Sequence, residues 1–145
     1  METLEDRIKR HEGLTLLPKY DAKGMYVIGY GHDIDADTAQ SLAQGCTESD
    51  AEEWLKSDLD HCISNVGKYF AHWIINLNQA RLDVITEMVF QIGIDGVAQF
   101  RRFITACINQ DWDDATREML DSDWHKQTPE RCEELASIML SGIAT

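Results

Sequence analysis

Two spacings of apolar residues divide the chain into a short first part and a longer second part. Over residues 3–12 the apolar positions recur at helical spacing, and Gly13 is placed to end the helix that this predicts. The period then shortens, which predicts strands over Leu16–Tyr20 and Met25–Ile28. The polar tetrad at residues 21–24 predicts the turn between them.

From residue 37 onward the apolar positions keep a helical period. Asn78–Ile92 is so rich in apolar residues that we expect a helix buried on nearly all sides. Thr128 and Pro129 predict the cap and the first residue of the last helix, which should end at Gly142. The other predicted helices are Asp37–Gln44, a long helix from Thr47 to Val66 that is capped by Thr47 and Asp50, Val97–Asn109 and Trp112–Leu120.

These elements predict an α+β, mostly helical fold. A small N-terminal lobe that contains the hairpin is joined by the long helix to a helical C-terminal lobe. We expect a single domain over residues 1–145, with the N-terminal lobe and connecting helix in 1–70 and the helical lobe in 71–145. Hydrophobic residues make up 43% of the chain, which is enough for a packed core and excludes a disordered protein.

The charge balance argues against one class of binding partner. It holds 13 Lys and Arg against 26 Asp and Glu, a formal net charge of −13, which argues against nucleic-acid binding. No apolar run approaches the roughly 18 residues of a membrane-spanning helix, so no stable membrane insertion is expected. Charged residues occupy the first positions, where a signal peptide would be apolar, so no export signal is predicted.

The cysteines are widely spaced and form no paired motif. We expect free thiols rather than disulfides, and most of them should be small core residues on helical faces. A zinc site built from cysteines and histidines would need a ligand spacing that the chain lacks, so no metal site is predicted. The cysteines are Cys46, Cys62, Cys107 and Cys132.

Two carboxyl groups near the hairpin are candidates for acid–base chemistry. Glu12 lies at a helix C-terminus beside leucines, and both surroundings favour the protonated carboxyl group that a general acid needs. Asp21 lies in a polar turn and should stay ionised. Two carboxyl groups with such different surroundings are typical of glycosidases. An acidic helix end followed by an aspartate turn is also common on ordinary solvated surfaces.

Three blocks of this sequence resemble the phage-type lysozymes. Glu12-Gly13-Leu14, Asp21 and the stretch from Gly24 to His32 resemble the catalytic segment of that family. The stretches 88–100 and 112–131 resemble its central helix and its C-terminal lobe. The blocks occur in the family's order and cover most of the chain, so the resemblance implies a lysozyme-like fold.

The resemblance implies a muramidase that cleaves the β-1,4 bond between N-acetylmuramic acid and N-acetylglucosamine in peptidoglycan. Glu12 would be the general acid, and Asp21 would activate water or stabilise the transition state. No cofactor and no metal are expected.

Further positions match family residues with supporting roles. His32 matches a histidine that pairs with an aspartate on the following long helix, here Asp58, and a carboxylate on that apolar face favours such a partner. Arg131 matches an arginine that approaches the catalytic glutamate. Phe90 and Gln91 match residues at the substrate cleft, although ordinary packing and local hydrogen bonding would also explain them.

One position departs from the family pattern. Where the family has a threonine whose hydroxyl helps to hold the attacking water, this chain has Val27, which cannot form a hydrogen bond. The hydroxyl of Tyr26 or Tyr30 is a possible substitute, and Tyr30 and Gly31 are predicted to contact the substrate. The departure leaves a second reading open, in which the chain is a catalytically attenuated lysozyme-fold module that binds a glycan or a protein.

The biological setting also follows from the resemblance. A phage endolysin would act in the host bacterial cytoplasm first and reach the wall after a separate holin-like protein has permeabilised the membrane. Its partner would be the peptidoglycan glycan strand, and we expect a monomer. A chitin-type hydrolase that uses the same two carboxyl groups is a third alternative. The strong acidity predicts electrostatic repulsion from an anionic cell wall. This is a second departure from the family, since a basic surface usually helps a lysozyme to bind its anionic substrate.

Overall fold

The computed structural model describes residues 1–21 and 24–144 and shows a small antiparallel sheet among many helices. This confirms the predicted mostly helical α+β fold. The elements are α1 (Leu4–Glu12), β1 (Thr15–Tyr20), β2 (Tyr26–Gly29), β3 (His32–Ile34), α2 (Ala36–Ser41), α3 (Glu48–Tyr69), α4 (Ala71–Ile74), α5 (Gln79–Ala98), α6 (Arg101–Ile108), α7 (Trp112–Leu120), α8 (Asp123–Gln127) and α9 (Pro129–Ser141).

The chain divides into two compact units, Met1–His61 and Cys62–Thr145. The division falls inside α3, so the first part of this helix packs in the N-terminal unit and the rest in the C-terminal unit. The sheet belongs to the N-terminal unit, and the described part of the C-terminal unit is helical.

The sheet of the N-terminal unit has the strand order β1-β2-β3, with both pairs antiparallel. Lys19 pairs with Val27, and Val27 pairs with Asp33 on its other side. The register of β1 shifts between Thr15 and Lys19, so this edge strand is bulged. The sequence predicted β1 and β2 but not β3, and the predicted turn residues Ala22 and Lys23 lie outside the described residues.

One face of the sheet packs against α2 and α3. Ile28 and Ile34 are buried there, with Trp54 packed against the cluster that they form. Gly29 makes the closest approach, because a Cβ atom built on it would lie 3.1 Å from the Cβ atom of Ala51 in α3. Its φ of +68° also favours glycine at this position.

The core of the C-terminal unit surrounds α5. Residues 84–89 of this helix are all buried, which confirms the prediction of a helix enclosed on nearly all sides. Gly93 interrupts its helical geometry with a φ of +83°. Large side chains from several helices complete the core, among them Trp73, Phe103, Met119, Leu135 and Met139.

Several predicted boundaries were wrong. Helix α2 ends at Ser41 rather than Gln44, and α6 begins at Arg101 rather than Val97, because Val97 still belongs to α5. The short helices α4 and α8 were not predicted. Pro129 does open α9 and Gly142 ends it, but the Thr128 side chain makes no capping hydrogen bond. Its hydroxyl instead accepts a hydrogen bond from Gln91 of α5.

The four cysteines, all among the described residues, form no disulfide, as predicted. Burial raises the pKa of the Cys107 and Cys132 thiols to about 12, so both are unreactive at neutral pH. In the described part of the chain no group of three or more His, Cys, Asp or Glu side chains is placed to hold a metal ion. Among the same residues no helix combines the length and the apolar character needed to cross a membrane.

The cap of the longest helix gives a first testable prediction. The Thr47 hydroxyl accepts a hydrogen bond from the Asp50 N–H, and the Asp50 carboxylate accepts one from the Thr47 N–H. Replacing Thr47 with alanine should lower the free energy of unfolding by about 1 kcal/mol. Ser49→Ala, at an exposed position in the same turn, is the matched control and should change it by less than about 0.5 kcal/mol. Equal losses in urea unfolding would contradict a stabilising cap.

Candidate active site

The carboxyl group of Glu12 lies against the backbone of the β2–β3 turn. Glu12 is half-buried at the C-terminal end of α1. A Cβ atom built on Gly31 would lie 2.5 Å from Glu12 Oε1, closer than real Cβ atoms approach, and 3.1 Å from its Cδ. Gly31 also has a φ of +71°, which favours glycine. The position of the Glu12 carboxyl group therefore depends on a glycine at residue 31.

Asp21 begins the turn after β1 and is held by backbone hydrogen bonds. The Met25 N–H donates to Asp21 Oδ1 at 2.9 Å. The Asp21 N–H in turn donates to the Met25 carbonyl oxygen at 2.7 Å. The first of these bonds fixes the orientation of the carboxylate relative to the start of β2.

His32 joins the sheet to α3. Its Nδ1 lies 2.7 Å from Asp58 Oδ2, so the structure brings together the two residues that the sequence paired. The imidazole ring also stacks on the Trp54 indole, with 5.1 Å between the ring centroids and 7° between the planes. Both contacts hold β3 against α3, one turn of helix apart.

Val27 lies on the face of the sheet opposite Ile28 and Tyr26. Side chains alternate along a strand, and Tyr26 packs with Ile28 toward the buried cluster. The Tyr26 hydroxyl therefore cannot replace a hydroxyl at residue 27, contrary to one of the options raised by the sequence. Lys19 and Asp33 lie directly opposite Val27 on the two neighbouring strands. Their side chains share its face of the sheet.

Lys19 and Asp33 were not singled out by the sequence. Their place beside Val27 depends on the strand register, and β3 was not among the predicted elements. No spacing in the sequence could have shown that Asp33 lies next to residue 27.

Tyr30 is a buried residue of the N-terminal unit, with 7% of its surface exposed. The Lys9 ammonium lies 5.5 Å from the centre of its ring and 3.1 Å from Glu52 Oε1. The hydrogen bond to Glu52 is the main cause of the raised pKa of Lys9. Lys9 therefore stays charged and links α1 to α3 over the tyrosine.

In the C-terminal unit Arg131 forms a buried ion pair. Its Nε donates to Oε2 of Glu87 at 2.8 Å, and the two side chains are 9% and 0% exposed. Glu87 was not predicted as a functional or paired residue, since it lies within the apolar stretch that becomes α5. A glutamate inside such a stretch does signal a buried partner, because an unpaired buried carboxylate is costly.

Gln91 has both ends of its amide engaged within the C-terminal unit. Its Nε2 donates to Thr128 Oγ1 at 3.1 Å, and its Oε1 accepts from Trp124 Nε1 at 2.9 Å. Phe90, the neighbouring residue in α5, is half-buried. The local hydrogen bonding that the sequence left open for Gln91 is thus present in the structure.

Comparison with known proteins matches the chain to a family model described as phage lysozyme, over residues 9–137. The chain is 28% identical over 161 residues to the pre-baseplate central spike protein Gp5 of Enterobacteria phage T4, covering 97% of this chain and 28% of the spike protein. It is 26% identical over 163 residues to the probable T4-type lysozyme 2 of Dictyostelium discoideum, covering 98% and 96% of the two chains. It is also 28% identical over 113 residues to the peptidoglycan hydrolase gp36 of Pseudomonas phage phiKMV, covering 78% of this chain and 12% of the hydrolase.

The His32 contacts lead to a prediction about stability. His32→Ala removes the hydrogen bond to Asp58 and the stacking on Trp54, and should lower the free energy of unfolding by about 1.5–3 kcal/mol. His125 provides the control, because its contact with Glu133 is more exposed, at 31% and 58%. His125→Ala should cost less than about 1 kcal/mol. If thermal unfolding gave His125→Ala the larger loss, the sheet would not depend on His32.

Proposed function

Because this chain belongs to the phage lysozyme family, we propose that it hydrolyses peptidoglycan as a muramidase. The bond cleaved is the β-1,4 linkage between N-acetylmuramic acid and N-acetylglucosamine. The contact of the Glu12 carboxyl group with the Gly31 backbone carries the proposal, since it holds a half-buried acid in one place. The name of the phiKMV relative, a peptidoglycan hydrolase, supports the substrate class.

In this proposal Glu12 is the general acid that protonates the glycosidic oxygen as the bond breaks. A proton donor must keep its position to within a fraction of an ångström to be effective. The Glu12 carboxyl group lies at the end of α1 and against the turn at Gly31, which supports this role. Gly31 acts through its backbone, as part of the surface that faces the substrate.

Asp21 acts on the other side of the bond, where it activates water or stabilises the positively charged transition state. The hydrogen bond from the Met25 N–H supports this role because it orients the carboxylate without neutralising it. His32 and Asp58 are positioning residues, since they hold β3 and with it the turn that contacts Glu12. Arg131 is a supporting residue in the other unit, fixed there by Glu87.

Phe90, Gln91 and Tyr30 are proposed as substrate contacts by their match to the family. Engagement of the Gln91 amide by Trp124 and Thr128 would fix the orientation in which it meets a sugar. Tyr30 would contribute mainly by shaping the turn before Gly31, given its burial.

We propose a phage-type setting for this activity, in which the enzyme lyses the host from within. It would work as a monomer without cofactor or metal, and a holin-like protein would give it access from the host cytoplasm to the wall. A second candidate function rests on Val27: a lysozyme fold that binds glycan or protein but turns over slowly. The absence of a hydroxyl at this position favours it, while the presence of Glu12 and Asp21 favours the enzyme.

Two substitutions test the placement of the acid. Glu12→Gln should reduce the release of reducing ends from purified peptidoglycan by about 10²–10⁴-fold. Gly31→Ala should reduce it by about 100-fold or more, because the new methyl group displaces the carboxyl group.

Gly93→Ala is the matched control for the second substitution. Its φ of +83° imposes a similar backbone strain, but nothing lies within 4 Å of the added methyl group. Both glycine variants should lose about 1–3 kcal/mol of stability, and only Gly31→Ala should lose activity beyond that. Full activity of Glu12→Gln would refute the proposed mechanism.

The effect of Val27 can be measured by restoring the hydroxyl. Val27→Thr is nearly isosteric and should raise kcat about tenfold or more, since hydrogen bonds that position reacting groups commonly contribute that much. Val27→Ala is the control for a change of size alone and should not raise it. An unchanged kcat in Val27→Thr would show that this chain positions its water without a hydroxyl at residue 27.

A further inference from the structure

A hollow of about 560 Å³ lies in the N-terminal unit between the hairpin and α2. Leu17, Pro18 and Tyr26 line it from the strands. Helix α2 supplies Ala36, Ala39 and Gln40, and the turn after it supplies Ala43. Its volume falls within the range of roughly 300–1,000 Å³ that is typical of small-molecule sites. The bulge in β1 contributes to the hollow, since Leu17 and Pro18 lie within the stretch where the register shifts.

Strand β1, which supplies Leu17 and Pro18 to the hollow, also exposes other apolar side chains. Leu16 is 45% exposed, Leu17 is 56% exposed, and Tyr20 is 62% exposed. The Tyr20 ring meets Tyr26 edge to face, with 4.9 Å between centroids, so a second aromatic ring lies beside the one that lines the hollow.

The lining of the hollow is uncharged. None of the described residues that line it carries a charge, although the whole chain has a formal net charge of −13. In the C-terminal unit, by contrast, a second hollow is lined by Arg101, Arg102, Glu118 and Asp121. An uncharged lining on a strongly acidic protein favours a neutral occupant, because a charged ligand would lose hydration there without gaining an ionic partner.

We propose that this hollow binds a neutral N-acetylhexosamine unit of a glycan strand, as a site separate from the proposed catalytic residues. The tyrosine rings would contact the apolar face of the pyranose. The methyl groups of Ala36, Ala39 and Ala43 would surround the acetyl methyl, and the Gln40 amide would pair with the acetamido group. One amide among apolar groups is the pattern that gives a small pocket its orientation and specificity.

This site lies on the other face of the sheet from Val27. Tyr26 points to the face that packs on α2, so a sugar in the hollow would not occupy the position of the bond to be cleaved. The inference rests on the proposed function for its choice of glycan. It adds a second binding site for the glycan strand, which would keep the enzyme bound to an insoluble substrate between cleavage events.

The test uses the full chain in a Glu12→Gln background, so that the ligand is not hydrolysed. The probe is the neutral β-1,4-linked tetramer of N-acetylglucosamine, titrated while backbone amide signals are followed by NMR. We expect the amides of residues 17, 26 and 36–43 to shift together. Gln40→Ala should weaken the binding seen at these amides about three- to tenfold, the loss of one hydrogen bond. Gln44→Ala, an exposed glutamine just after α2, should leave it unchanged.

A salt titration tests the neutrality of the occupant. The dissociation constant measured at these amides should be the same at low and moderate ionic strength, because neither partner contributes a local charge. An octyl glucoside titration below its micelle concentration is the control for apolar binding. If it shifts the same amides and the tetramer does not, the hollow takes an alkyl chain rather than an N-acetylhexosamine, and the proposal is wrong.

The outcomes separate this site from the proposed function. If wild-type protein releases reducing ends from peptidoglycan but the tetramer leaves the amides of residues 36–43 unmoved, the second site is refuted and the muramidase stands. If no reducing ends are released but these amides shift and respond to Gln40→Ala, the site stands and the hydrolase is refuted.

Discussion

The close packing of the sheet on α3 is the constraint on which the N-terminal unit depends. Gly29 allows the strand to approach Ala51, where any side chain at residue 29 would lie within about 3 Å of the helix. Two helical turns further along α3, the His32–Asp58 hydrogen bond of 2.7 Å fixes β3 to the same helix. The turn between these two contacts contains Gly31, whose backbone meets the Glu12 carboxyl group. The position of the proposed acid is therefore determined by packing on α3 as much as by α1, which carries it.

Local signals predicted much of the fold. Capping at Thr47 depends on a residue three positions away, and the structure has this cap as the sequence indicated. Thr3 and Asp111 cap their helices over the same spacing. The predictions that failed depend on contacts between residues that are distant in the sequence. Strand β3 is three residues long and contains two polar side chains, so its pairing with β2 defines it rather than its own pattern. Thr128 has the residue type and position of a cap, but a hydrogen bond from Gln91, 37 positions away, engages its hydroxyl.

In the candidate site, too, the sequence indicated local features but not contacts between distant residues. Glu12 and Asp21 could be selected from the sequence, because a helix end and a turn are local features and the resemblance gave them roles. The contact with Gly31, the place of Asp33 beside Val27 and the burial of Glu87 with Arg131 all join residues distant in the chain. They depend on strand register and on packing, which the local residue pattern of a single sequence does not specify.

The hydrogen-bonded set of Gln91, Trp124 and Thr128 has a consequence for how this protein can change over evolutionary time. Each of the three side chains satisfies another, and they come from α5, α8 and the start of α9. Loss of any one leaves a polar group in a half-buried setting without its partner, so single changes are selected against more strongly than joint ones. Substitutions at the three positions are therefore coupled, because whether a replacement at one position is tolerated depends on the residues present at the other two.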